Sequence, residues 1–157
     1  AALEIVGDRW TILILRDAFR GLRRRAEFRR DLDLPRAVLA DRANYEIVSF
    51  EEPLDAELSS PPRESVLAGN PSQRIQNYFS DAQGRFHCGR WTCEVGAWRV
   101  RYTEVELCHL LAGQVRLKSD AGGEWQFGAG STFVINKGFS GIWETVERCE
   151  KVYAILE

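Results

Sequence analysis

The chain has 157 residues, 45% of them hydrophobic and 28% charged, with a formal net charge of −2. One ordinary core fits that length, since a domain of this size buries roughly 70% of the surface its unfolded chain exposes. A membrane-spanning helix is excluded: the most apolar segment, Trp10 to Phe19, is interrupted by Thr11, Arg16 and Asp17 and is too short to cross a bilayer. No basic and apolar leader opens the chain, so a cytoplasmic location is expected. Cys88, Cys93, Cys108 and Cys149 show no CxxC spacing and read as small buried hydrophobes. Charge is uneven along the chain. Residues 1–43 hold ten Arg against seven acidic residues, a net of +3, and the remainder carries −5, which suggests two segments of different origin.

The first segment reads as helices. Leu3, Val6, Trp10, Leu13, Ile14 and Ala18 recur at the spacing of one helical face, and Ile12, Leu15 and Phe19 widen that stripe. Gly21 caps it, an arginine-rich helix runs to Leu32, and Asp33-Leu34-Pro35 begins a third. With LEIVGDRWT, LILRD, G-x-RR and LADR in this order, residues 3–42 resemble the winged helix-turn-helix of HxlR-type bacterial regulators. That resemblance implies DNA contact through Arg23, Arg24 and Arg36, because clustered arginines are the electrostatic footprint of nucleic-acid binding. Two features depart from it. Arg25 stands where the family has an aromatic anchor, and the pattern stops after Arg42, inside the expected recognition helix. A solvated charged face is the competing reading of these arginines, and sequence-specific DNA binding is not expected.

Residues 44–73 hold four of the five prolines and predict a connector with one early strand at Glu46 to Phe50. From Arg74 on, apolar and polar residues alternate in short runs: RIQNYFS, RFHCGRWTCEV, AWRVRY, VELCHLLA, QVRLKS, EWQF, TFVIN, GIWETVE and KVYAIL. Turns at Asp81 to Gly84 and at Ala121-Gly122-Gly123 separate them, so the pattern predicts antiparallel strands in a jelly roll.

Six residues separate Glu106 from Gly113, and five separate Gly130 from Asn136-Lys137-Gly138, the spacing of the two cupin motifs. The stretches WTCEVGAWRVRYTEVELCHLLAGQVRL and GAGSTFVINKGFSGIWETVE resemble the cupin subgroup related to ureidoglycine aminohydrolase and EutQ. The implied architecture is mainly β: a cupin double-stranded β-helix over residues 74–157, a connector and arm over 44–73, and a small helical segment over 1–43. Edge pairing makes a homodimer the expected state.

In a metal cupin, two histidines, a Glu and a third histidine converge in the barrel. The motif spacing puts those positions at Val100, Tyr102, Glu106 and Gly141, of which Glu106 alone is a good ligand, so no metal cofactor is expected. His87 and His109 read as surface or packing residues. Strand alternation places Trp98, Val100, Tyr102, Glu104, Glu106 and Cys108 on one face, with Trp143 inward beside Gly141. Two chemistries follow. Glu104 and Glu106 could act as an acid and base, each raising the other's pKa. Alternatively Trp98, Tyr102, Glu106, Cys108 and Trp143 form a pocket for a small cationic or planar molecule, held by apolar contact, cation–π attraction and one charge. Simple core filling by the same aromatics stays open beside both. The function expected is therefore small-molecule binding or metal-independent catalysis in small-metabolite (nitrogen) metabolism. Two alternatives remain: a ligand-sensing transcriptional regulator, and a metal enzyme using Glu106.

Overall fold

The computed structural model describes residues 46–157. The expected helices, their arginines and the boundary near residue 44 lie outside the described residues. Nine strands follow one another: β1 (Glu57–Ser59), β2 (Val66–Gly69), β3 (Gln73–Ser80), β4 (Phe86–Cys93), β5 (Gly96–Arg101), β6 (Val105–Ser119), β7 (Glu124–Gly128), β8 (Thr132–Ile135) and β9 (Ser140–Leu156). The one described helix is a 3-10 turn at Arg63–Ser65. No described helix is long and apolar enough to cross a membrane.

β9 is the spine of this sheet. Its first half pairs with β5, from Gly96↔Thr145 to Arg101↔Ser140, and its second half pairs with β4, from Cys93↔Cys149 to Phe86↔Leu156. Along its other edge runs β6, from Ser119↔Gly141 to Val105↔Leu156. β3 and then β1 extend the sheet beyond β4, β2 extends it beyond β5, and β7 and β8 pair with β6. All pairings are antiparallel. Side chains from β3, β4, β5, β6, β8 and β9 share one apolar cluster, so the sheet must curl around its inner face.

The strands run as the alternation predicts, with two mergers and one omission. VELCHLLA and QVRLKS form a single strand, β6, in which register shifts between Leu110 and Val115 switch the inward set from Glu106, Cys108 and Leu110 to Val115 and Leu117. The change of parity makes one strand read as two. At the shift, Gly113 has φ +77°, and a Cβ there would collide with the Arg148 carbonyl, so both backbone conformation and space require glycine. GIWETVE and KVYAIL likewise fuse into β9.

The early strand expected at Glu46 to Phe50 does not form. That segment is held by side chains instead of a ladder: Phe50 stacks on Tyr78 at 4.6 Å, and the Tyr78 hydroxyl donates to the Glu52 carbonyl at 3.0 Å. The connector contributes more than expected. It supplies β1 and β2 to the sheet edges and brings Pro61, Pro62 and Ser65 to the rim of an inner pocket.

Candidate functional site

The pocket lies inside the curled sheet and has a volume of about 90 Å3. At roughly 10–15 Å3 per enclosed water that is room for a small metabolite. Strand register explains its walls. Trp98 of β5 sits opposite Trp143 of β9, and Trp91 of β4 sits opposite Lys151 of β9. The three indoles meet with centroids 5.5 to 6.3 Å apart, Trp91 edge-on to Trp143.

Lys151 was not singled out by sequence, although the alternation Cys149, Lys151, Tyr153, Ile155 places it on the inward face. Its Nζ lies 2.8 Å from Glu106 Oε1, 3.3 Å from Cys108 Sγ, and 4.8 and 4.5 Å from the ring centroids of Trp91 and Trp143. Burial alone would lower its pKa, but the Cys108 and Glu106 side chains beside it raise the net value, so the ammonium persists. Tyr102 donates to Glu106 Oε2 at 2.9 Å. Burial, and then the nearby Glu106, push the phenol well up, so it stays a donor.

Glu104 follows Tyr102 on the β5–β6 turn and is buried, 2% exposed. Thr103 donates to its Oε2 from both backbone N–H (2.9 Å) and hydroxyl (2.8 Å). Burial raises its pKa from 4.5 to about 7, with the Thr103 bonds opposing and Glu106 adding to the rise. Both carboxyls line the pocket, with different partners. Glu106 is answered by a lysine and a tyrosine, while Glu104 is held by Thr103 and its own backbone N–H, which are neutral.

The structure brings Trp98, Tyr102, Glu104, Glu106 and Trp143 to this pocket. Cys108 is fully buried but is not among the lining residues; burial pushes its thiol up, and it touches Lys151. His87 is a packing residue, bonded to Ser80 Oγ (2.8 Å) and the Gly84 carbonyl (3.0 Å). His109 leaves the inner face and bonds Thr132 Oγ1 at 2.8 Å. Sequence reasoning also passed over Trp91 and Gln73. Gln73 is 3% exposed, lines the pocket, and its Oε1 accepts no hydrogen bond.

Residues 80–153 match the EutQ-like cupin domain family. That stretch is similar to a EutQ-like cupin domain. Solved cupin-like structures share the fold. A protein of unknown function from Pseudomonas syringae pv. tomato superimposes with TM-score 0.61 at 22% identity, over 69% of this chain and 46% of that one. A Thermotoga maritima protein predicted to be an oxalate decarboxylase gives 0.55 at 16% identity, over 70% and 97% of the two chains. A candidate ethanolamine utilization protein Q of Salmonella typhimurium LT2 gives 0.51 at 14%, over 67% and 98%. Separately, 41 residues are 56% identical to uncharacterized HTH-type transcriptional regulators of Mycobacterium bovis and Mycobacterium tuberculosis, 26% of this chain and 26% of each regulator. The chain thus spans about a quarter of the length of the curated relatives it matches.

The cupin motif positions do converge, but their donors do not fit a metal ion. Val100 faces Gly141 across the β5–β9 ladder, and neither side chain offers a ligand atom. A side chain at Gly141 would run into the Lys118 carbonyl, so close backbone approach keeps that position glycine. Both oxygens of Glu106 are engaged, one by an ammonium that would repel a second cation. Among the described residues no three His, Cys, Asp or Glu side chains form a metal-ligand group.

Proposed function

We propose that this cupin binds a small molecule in its inner pocket without a metal ion, the internal ammonium of Lys151 supplying the positive charge beside Glu106. The Lys151–Glu106 pair carries the reading. Buried ion pairs are weak evidence of stability, because desolvation offsets the attraction. A pair of this kind on the wall of an apolar pocket, with further polar groups converging on the same space, is the chemistry of a binding site. Cys108 and Glu106 favour the ammonium form of Lys151, whereas a Schiff-base nucleophile needs a neutral amine. The test is a thermal-shift and tryptophan-fluorescence screen of small metabolites against the purified chain. A hit that raises Tm and quenches the indoles, and is lost in E106Q, supports the reading; a panel spanning cations, neutral amides and anions that leaves both signals unchanged contradicts it.

The 41-residue match to HTH-type regulators favours a second reading, in which the barrel senses the ligand for a DNA-binding segment. Sequence-selective duplex binding that persists at physiological salt supports it; binding that vanishes with salt reflects phosphate contact alone.

A further inference from the structure

The charges lining the pocket cancel in pairs except one. Arg99 makes a two-pronged ion pair with Asp120, at 2.9 and 2.7 Å. Lys151 is answered by Glu106 at 2.8 Å. Tyr102 and Tyr153 complete the titratable groups there, and both are phenols. Glu104 remains, and its partner, Thr103, is neutral. An ionised Glu104 therefore leaves the pocket with one uncompensated negative charge.

A second observation is independent of that count. Gln73, a buried residue that lines this pocket and a neighbouring groove, has a side-chain oxygen, Oε1, with no hydrogen bond. Such an atom forfeits its solvation unless something donates to it. Lys151 already covers Trp91 and Trp143, and Trp98 is the remaining indole of the three on the pocket wall. A negative charge, an unmet acceptor and an aromatic face are together complementary to one ligand chemistry.

The geometry points to a small organic cation with N–H donors as the ligand of this pocket, with Glu104 as its counter-ion, Gln73 Oε1 as acceptor of an N–H, and Trp98 as its aromatic contact. Glu106 is not the counter-ion, because Lys151 already neutralises it; by bonding Lys151 and Tyr102 it orders the pocket wall, so E106Q disturbs binding through those two side chains. This deepens the small-molecule reading of the barrel and rests on it.

Three molecules of one shape and different charge test the assignment: acetamidinium, acetamide and acetate, titrated at constant ionic strength while the indole N–H resonances are followed by NMR. Acetamidinium should shift the pocket indoles saturably and bind about tenfold or more tighter than acetamide, because a charge-assisted hydrogen bond exceeds a neutral one by that order. Acetate should not bind. In E104Q the preference for acetamidinium over acetamide should disappear, and in Q73L acetamidinium should weaken several-fold, with the rest of either spectrum unchanged. If E104Q does not fold, the wild-type series decides alone. Acetamide or acetate binding as tightly as acetamidinium, or E104Q binding acetamidinium like the wild type, would overturn the ligand class and leave the pocket reading standing. Indoles unmoved by all three would overturn both.

Discussion

Lys151 Nζ stands 2.8 Å from Glu106 Oε1, so the one carboxylate that the cupin motif keeps in this chain is paired with a lysine from the last strand. Both side chains are at least nine-tenths buried. Truncating one member leaves the other as an unpaired buried charge, which costs about 3–5 kcal/mol. K151M should therefore lower the free energy of unfolding by that order, and the K151M/E106L double variant should recover most of the loss. Denaturant unfolding of the four proteins measures the coupling. Two single variants that each lose under about 1 kcal/mol would show that the pair is not isolated from water.

Glu104 gives the fold a pH dependence of predictable sign. Its folded pKa, about 7, lies above the ordinary 4.5, so between these values the native state holds a proton that the unfolded chain has released. Its contribution is full below pH about 4.5 and is lost as pH rises through about 7. Urea midpoints of the wild type minus those of E104Q, across this window, should decline with pH. A flat difference would show that Glu104 is solvated in the native state.

Gln73 should trade stability against binding. Replacing the unsatisfied amide with an apolar group of similar size removes the buried orphan, so Q73L should unfold about 1 kcal/mol harder than the wild type. A loss of stability instead would mean that the amide is paired in solution.

A histidine at Gly141 restores the motif on paper and should fail in the protein. Any Cβ there meets the Lys118 carbonyl, so G141H should disturb the β6–β9 ladder and lower Tm without giving metal binding. Normal stability with newly bound metal would contradict this.

How much of this was legible in the sequence depends on which signal each residue carries. Alternation found most strands and put Trp98, Tyr102, Glu104 and Glu106 on one face, because parity holds within a strand. It split β6 at Gly113, since the register shift there changes parity without ending the pairing. Lys151 obeyed the same alternation but was passed over, because a lysine at an inward position reads as a break in the pattern until its partner on another strand is known. Glu106 and Lys151 are 45 residues apart, and strand order alone brings them together. The connector's place at the pocket rim is long-range in the same way: Pro61 and Pro62 read locally as chain punctuation.

The most direct test of the account is a calorimetric titration of Mn2+, Ni2+ and Zn2+ into the purified chain, with E106Q as control. If Lys151 supplies the cation beside Glu106, no ion should bind with an affinity that depends on that carboxylate, and the wild-type and E106Q traces should coincide. One metal per chain, bound at micromolar affinity by the wild type and lost in E106Q, would contradict it.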